Sequence, residues 1–284
     1  MDEVSFDVKS GEIFGLIGPD GAGKSTLFRI LATLILADSG TVTINNFDVV
    51  NDYQKIRTIT GYMPGKFSLY QDLTVRENLE FFAKVFGTSI VENYELIKDI
   101  YVQLEPFNDR RAGKLSGGMK QKLALCCAMI HQPKILLLDE PTTGVDPVSR
   151  KEFWTMLKHY QQLGITIVVA TPYMDEAAMC DRIALIKNGK ILRISTPTEI
   201  IDTYPYQIIA VKATVTYDLI EALKNYHNLI NYYAFGEYVH VVMTYDNLSG
   251  EMELFNWLKE QKIDGLEMHK IKPTIEDSFI EILQ

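Results

Sequence analysis

The chain has few cysteines and few tryptophans. Its 284 residues include three cysteines and two tryptophans. Cys126 and Cys127 are adjacent in an apolar segment, and Cys180 lies far along the chain, so the three lack the spacing of metal ligands. This pattern is typical of reduced thiols in the core of a cytosolic protein. We therefore expect buried, reduced cysteines and no structural zinc site.

Long hydrophobic runs are also missing. No apolar run reaches the roughly 20 residues that a transmembrane helix needs. The first residues, MDEVSFDVKSGEIFG, do not place a basic region before an apolar one, as a secretory signal does. We expect a cytoplasmic protein, and a peripheral position on the inner face of the plasma membrane would then require a membrane partner.

Basic residues are fewer than acidic residues in this chain. The chain has 28 Lys and Arg against 37 Asp and Glu, which gives a formal net charge of −9. A surface that binds nucleic acid mainly through its phosphates needs clustered Lys and Arg, so a nucleic-acid partner is disfavoured. Local phosphate binding stays compatible with this composition. The 47% of hydrophobic residues suffices for one large domain and a smaller one.

The order of the predicted elements indicates an α/β protein. Up to about residue 193, apolar strands alternate with longer helical patterns, which is typical of a mainly parallel sheet covered by helices. Strands predicted at residues 13–17, 135–138 and 165–170 lack polar alternation, as expected for strands buried on both faces. We predict a first domain over residues 1–203 and a small C-terminal α/β appendage over residues 204–284.

Helical patterns interrupt the first domain at residues 61–116, which we interpret as a helical insertion. Thr74 and Glu77 form a predicted capping box, and Leu79 and Phe82 follow at helical spacing. The appendage carries no recognisable catalytic cluster. Its strands are predicted at residues 208–211, 238–243 and 266–271, and its helices at residues 217–225 and 251–261.

The strongest functional motif follows the first strand. Residues 18–25, GPDGAGKS, fit the pattern G-x-x-x-x-G-K-[ST] and precede an apolar helical pattern. The glycines let backbone N–H groups surround a phosphate, Lys24 reaches the terminal phosphates, and Ser25 offers a magnesium ligand. The predicted phosphate-binding residues are Gly18, Pro19, Asp20, Gly21, Ala22, Gly23, Lys24, Ser25 and Thr26.

Two carboxylates stand where a second buried strand ends. Asp139 can hold the magnesium shell, and Glu140 can orient or deprotonate the attacking water. An acidic pair in this position is by itself typical of a loop start or a helix N-cap. The phosphate loop upstream favours the catalytic interpretation, provided that both strands lie in one sheet.

A third motif, Ser116-Gly117-Gly118, precedes another helix. Its hydroxyl and glycine amides form a second predicted anion site, although the same residues alone are more typical of a simple N-cap. The segments GPDGAGKST, LSGGMKQK and ILLLDEPTTGVDP resemble, in order and spacing, the ATP-binding cassette (ABC) ATPases. The resemblance covers about residues 1–193 and implies a P-loop NTPase fold with ATP and Mg²⁺ as ligands.

The resemblance also implies partners. In the family, two cassettes form a head-to-tail dimer, in which Ser116, Gly117 and Gly118 would cap the γ-phosphate held by the other subunit and Asp146 would lie at the seam. Homodimer and heterodimer both remain open. The helical insertion would receive a short helix of an integral membrane permease, and Phe67, Tyr70 and Phe81 are either contacts for that helix or part of the insertion core.

Three departures from the family pattern are visible. Gly65 stands where the family has a glutamine linking magnesium and water, and Pro172 stands where it has a histidine touching the γ-phosphate. Lys66 is either a compensating cation or a solvated lysine. The family usually has a further strand and an adenine-stacking aromatic residue ahead of this chain's first residues, so either the start is truncated or adenine is held weakly.

From these motifs and departures we expect one of two functions. The first is the ATPase subunit of an exporter, resembling the drug or multidrug branch, with slow turnover because of Gly65 and Pro172. The tail from Lys272 to Asp277, KPTIED, resembles the tail of that branch. The alternative is a degenerate, ATP-gated dimerisation module that hydrolyses little and pairs with another cassette.

Overall fold

The computed structural model describes residues 2–244 and 250–283. The chain divides into two compact units, residues 1–197 and residues 198–284. Cys126, Cys127 and Cys180 are free and buried, as predicted, and burial raises the pKa of each thiol. Within the described residues, no helix combines the length and the apolar composition needed to cross a bilayer.

The first unit alternates strands and helices. Its strands are β1 (Ile13–Ile17), β2 (Thr43–Ile44), β3 (Phe47–Asp48), β4 (Thr60–Met63), β5 (Ile135–Asp139), β6 (Thr166–Thr171), β7 (Arg182–Lys187) and β8 (Lys190–Ser195). Its helices are α1 (Lys24–Leu31), α2 (Tyr53–Ile59), α3 (Val75–Val85), α4 (Tyr94–Tyr101), α5 (Gly117–Met129), α6 (Pro147–Gln162) and α7 (Met174–Ala177).

The central sheet has the strand order β4-β5-β6-β1-β7-β8. Its first five strands in that order are parallel, and β8 joins β7 in the antiparallel direction. Because β6 pairs with both β1 and β5, the segments that follow these three strands emerge at one edge. Ligands of open α/β sheets bind outside the carboxyl ends of the strands, so this edge is where a site is expected.

Apolar side chains from strands and helices form the core of this unit. Phe14 and Leu16 of β1 pack with Phe28 of α1, Leu137 of β5 and Val168 of β6. All five are at least nine-tenths buried, and fully burying one such side chain contributes about 1.5 to 3 kcal/mol. This core fixes α1 against the sheet and so positions the loop between β1 and α1.

The predicted helical insertion begins too early. Thr60–Met63 form β4, which pairs with β5 in parallel, Gly61 facing Leu136. A side chain at Gly61 would lie 2.4 Å from the carbonyl oxygen of Ala128, so glycine permits the close approach of α5 to the sheet. The first helix after β4 is α3, and its capping box is confirmed: Thr74 Oγ1 accepts from the Glu77 N–H, and the Thr74 N–H donates to Glu77 Oε2.

The second unit contains a four-stranded antiparallel sheet. Its elements are α8 (Pro197–Asp202), β9 (Gln207–Lys212), α9 (Thr216–Leu223), β10 (Asn231–Phe235), β11 (Tyr238–Met243), α10 (Gly250–Glu260), β12 (Glu267–Ile271) and α11 (Ile275–Leu283). The strand order is β10-β11-β9-β12. The chain order β9-α9-β10-β11-α10-β12 with this pairing is the ferredoxin-like split βαβ arrangement.

Candidate functional site

The phosphate loop connects β1 to α1. Gly23 is the N-cap of α1 at φ 103°, in the left-handed region that glycine adopts without strain. A side chain at Gly18 would lie 2.2 Å from the carbonyl oxygen of Ile186 in β7, so the loop leaves the sheet through a gap that only glycine fits. The Ala22 N–H donates to the Pro19 carbonyl at 3.2 Å, which closes the loop as a turn.

Lys24 lies inside this loop and is buried. Its Nζ donates to the carbonyl oxygens of Gly18 at 2.8 Å and Pro19 at 3.1 Å. The same Nζ is 3.4 Å from Glu140 Oε1 and 4.0 Å from Asp20 Oδ1. The ammonium group therefore stands between the phosphate loop and the acidic pair, a position from which a cation can reach terminal phosphates.

Ser25 and Asp139 meet across the edge of the sheet. Ser25 Oγ donates to Asp139 Oδ1 at 3.1 Å. Burial raises the pKa of Asp139; neighbouring Glu140 adds to the rise, and the Ser25 hydrogen bond opposes it. A hydroxyl and a carboxylate at this separation are hard oxygen donors of the kind Mg²⁺ binds, usually together with substrate phosphates and waters. The residues present thus fit a magnesium ion.

Glu140 follows directly and adopts an unusual backbone conformation. Its φ of 52° lies in the left-handed region, which a non-glycine residue occupies only where surrounding contacts hold it there. The Glu140 N–H donates to the Ala170 carbonyl of β6 at 2.9 Å. This turn swings the Glu140 carboxylate away from the strand direction and towards Lys24.

The Ser116-Gly117-Gly118 motif lies at the start of α5. Ser116 is the N-cap, and its Oγ accepts from the Met119 N–H at 3.3 Å. A side chain at Gly118 would lie 2.7 Å from Ser149 Oγ, so α5 packs closely against the start of α6. There Asp146 is the N-cap and accepts from the N–H groups of Val148 and Ser149. The structure thus brings the motif and Asp146 together within one chain.

Two of the three departures from the family pattern, Gly65 and Pro172, lie at the same edge of the sheet. A side chain on Gly65 would place its Cβ 3.1 Å from the Asp139 carbonyl oxygen, which is closer than an ordinary contact. Thr171 is buried and its hydroxyl accepts from the Tyr173 N–H at 3.0 Å, so it serves the turn around Pro172. Lys66 is exposed.

An apolar groove of about 450 Å³ lies between the sheet and the helices of the first unit. Sequence reasoning missed it because its lining comes from segments far apart in the chain. Phe67, Tyr70 and Phe81 are not among its lining residues: Phe67 lies under Lys120, and Tyr70 packs edge-on against Phe81. The lining includes Leu34, Tyr62, Leu69, Phe82, Val85, Phe86 and His131.

Comparison with known proteins identifies relatives of this chain. The sequence model of the family described as ABC transporter matches residues 1–143. The probable multidrug ABC transporter ATP-binding protein YbhF of Escherichia coli is 44% identical over 199 residues, which are 69% of this chain and 34% of that protein. The chain therefore spans about a third of the length of that relative. The Nod factor export ATP-binding protein I of Rhizobium sp. is 37% identical over 80% of this chain and 76% of that protein.

A solved structure is also similar. The ATP-binding cassette MJ0796, in a dimeric post-hydrolysis state bound to ADP and Pi, is 28% identical, covers 67% of this chain and 88% of its own, and has a TM-score of 0.61. The fold and the site define a P-loop NTPase with the motifs of an ATP-binding cassette. The chain belongs to the ABC transporter family, among the ATP-binding proteins of its exporter branch. These relatives give no support to the alternative of a degenerate dimerisation module.

Proposed function

We propose that this chain is the ATP-hydrolysing subunit of an exporter and couples ATP binding and hydrolysis to export through a separate membrane permease. One observation carries the proposal: Ser25 Oγ and Asp139 Oδ1 are 3.1 Å apart, beside the contact of Lys24 with Glu140. Phosphoryl transfer to water needs phosphate contacts, a metal site and a water-positioning base in one place, and this edge of the sheet supplies candidates for all three.

Each of these residues has a role in the proposed reaction. Backbone N–H groups of residues 18–26, except Pro19, and the Lys24 ammonium hold the phosphates of ATP. Ser25 and Asp139 would hold Mg²⁺, which neutralises charge on the phosphate oxygens. Glu140 orients the attacking water and accepts its proton. We expect turnover to be slow, because Gly65 and Pro172 offer no side-chain donor or acceptor at two positions where the family has them.

A second cassette completes the proposed site. Ser116, Gly117 and Gly118 would cap the γ-phosphate bound by a partner subunit, which is either another copy of this chain or a different cassette. Support comes from the close packing of this motif against the Asp146 segment, because both would then belong to one dimer surface. The dimeric state of the similar cassette MJ0796 gives further support.

The apolar groove is the proposed contact for the permease. Its lining residues Leu34, Val85 and Phe86 are exposed, although their side chains are hydrophobic. An amphipathic helix buries its apolar face in such a groove, which suits a short helix of a membrane subunit. This proposal places the contact in the groove rather than at Phe67, Tyr70 and Phe81. The chain would then act at the inner face of the plasma membrane.

The proposal is tested by Lys24→Ala. Removing an ammonium group that contacts both the phosphate loop and Glu140 should lower the affinity for Mg-ATP at least about tenfold, or about 1.4 kcal/mol. The matched control is Lys98→Ala, which removes an exposed lysine paired with Glu95 on α4. Titration with a fluorescent ATP analogue measures both variants. Unchanged affinity in Lys24→Ala would contradict the proposed phosphate site.

A further inference from the structure

A buried carboxylate lies outside the residues assigned so far. Glu176 of α7 is buried, and its Oε1 accepts a hydrogen bond from Oγ1 of Thr142, which is also buried. Its Oε2 is buried and has no hydrogen-bond partner in the described part of the chain. Buried polar atoms are normally hydrogen-bonded, so a buried carboxylate oxygen without a partner calls for an explanation.

Thr142 belongs to the turn that carries Glu140. The Glu140 N–H donates to the Ala170 carbonyl, the Thr143 N–H to the Glu140 carbonyl at 3.2 Å, and the Val145 N–H to the Thr142 carbonyl at 3.1 Å. Glu140 itself has a positive φ, a strained conformation for a non-glycine residue that persists only under constraint by its surroundings. The Thr142 hydroxyl links this turn to α7 through its hydrogen bond to Glu176.

Arg150 brings a third segment to the same carboxylate. Its Nε is 3.7 Å from Glu176 Oε1, and its guanidinium carbon lies 4.2 Å from the centre of the Tyr173 ring. Arg150 belongs to the first turn of α6, just after Asp146, and Tyr173 follows Pro172. Glu176 therefore joins the Glu140 turn, the start of α6 and the segment after β6.

We propose that Thr142 and Glu176 are positioning residues that hold Glu140 in the geometry needed to activate water. This inference rests on the proposed ATP hydrolysis. At the end of β6, Pro172 stands where the family has a histidine, and proline has no side-chain donor or acceptor. In this chain, the segment that follows Pro172 still contributes to the reaction through the contact of Glu176 with the Glu140 turn.

The first test compares Thr142→Val with Thr142→Ser. Val keeps the shape of the side chain but removes the hydroxyl donor, whereas Ser keeps the donor. Thr142→Val should lower kcat at least about tenfold, because small displacements of a catalytic group are costly. KM and the affinity for Mg-ATP should stay within about twofold, since the phosphate loop is untouched. Thr142→Ser should recover most of the lost turnover.

A control variant and a second measurement distinguish a positioning role of Thr142 from a nonspecific loss of structure. Thr155→Val removes an exposed hydroxyl that donates to the Lys151 carbonyl of its own helix, and it should leave kcat unchanged. Hydrogen exchange without nucleotide reports on the turn itself. Thr142→Val should speed amide exchange in residues 140–145, and Thr142→Ser should not. A fall in kcat without faster exchange there would overturn the inference.

A double-mutant cycle tests whether Glu176 acts through Thr142. If the two side chains work as one unit, Thr142→Val combined with Glu176→Ala should be no slower than the slower single variant, because the effects do not add. Additive losses would overturn the inference, as would a Thr142→Val variant that matches wild type. If wild type itself releases no phosphate, the proposed hydrolysis fails first, and that outcome is distinct from a wild type that hydrolyses without needing Thr142.

Discussion

At the scale of single residues, Gly65 and Pro172 set the expected rate of the chemistry. A preorganised donor aimed at developing charge is worth about 10² to 10³ in rate, and Pro172 supplies none. Gly65 differs from Pro172 in its surroundings, because a side chain there would press on the backbone carbonyl of the proposed metal ligand Asp139. The two positions should therefore respond differently to restoring the family's residues.

Pro172→His should raise the turnover of the chain at least about tenfold, which is about 1.4 kcal/mol off the barrier. Gly65→Gln alone should give no gain, because its Cβ would lie 3.1 Å from the Asp139 carbonyl and shift that residue. Steady-state phosphate release measures both variants, with Glu140→Gln as the blank. Wild-type turnover equal to that of Pro172→His would mean that the histidine contact is dispensable in this chain.

At the scale of elements, Asp277 determines how α11 is attached to its sheet. Asp277 Oδ2 accepts from the N–H and the hydroxyl of Thr274, which caps the helix, at 2.6 and 2.7 Å. Oδ1 accepts from the Tyr233 hydroxyl at 2.6 Å and from His240 Nδ1 at 2.7 Å, which link the helix to β10 and β11. An ionised carboxylate only accepts hydrogen bonds, so His240 Nδ1 carries the proton.

This arrangement predicts a pH dependence. Burial alone would raise the pKa of Asp277, but the hydrogen bonds from His240, Tyr233 and Thr274 outweigh it and hold the pKa below its usual value. A lowered pKa means that the carboxylate stabilises the fold above the unfolded pKa of about 3.9 and that this stability is lost as the pH falls through the folded value. Asp277→Asn should lower the free energy of unfolding by about 2 to 3 kcal/mol at pH 7. In strong acid, where Asp277 is protonated, the substitution should cause no such loss.

Urea unfolding at several pH values measures this effect. Trp154 lies in the first unit and Trp257 in the second, so fluorescence in a Trp154→Phe background follows the unit that contains Asp277. The control is Glu260→Gln, which removes an exposed carboxylate at the end of α10 in the same unit and should keep the wild-type profile. If the free energies of unfolding of Asp277→Asn and its parent differ by the same amount at every pH, the role of the carboxylate is contradicted.

Some elements of the fold could be predicted from the sequence and others could not. Strands β1, β5 and β6 were predictable because each is an unbroken apolar run, and the loop before Lys24 has a specific pattern of glycines. β4 was mistaken for helix because a four-residue strand containing Gly61 has too little periodicity to be recognised. β10 and α11 were missed. In the sequence, the run MDEAA predicts an exposed acidic residue at Glu176. In the structure Glu176 is buried, because α7 packs against the turn that carries Glu140.

At the scale of the whole molecule, the proposed function requires contact with a membrane subunit through the apolar groove. Val85 lines the groove and is 61% exposed, whereas Val91 is 87% exposed and does not line it. Val85→Asp should abolish co-purification with the permease, because an unpaired charge would be buried in the contact. Val91→Asp should leave co-purification intact. Loss of the permease with Val91→Asp and not with Val85→Asp would place the contact elsewhere.

In the proposed function, this molecule hydrolyses ATP and Glu140 activates the attacking water. The most direct test is Mg²⁺-dependent phosphate release by wild type and by Glu140→Gln, with ATP affinity measured on the same samples. The neutral amide keeps the shape of the side chain but cannot accept the proton, so we predict turnover in wild type and at least about a hundredfold less in the variant, with ATP binding retained. Equal turnover in the two proteins, or no turnover in wild type, would contradict the account.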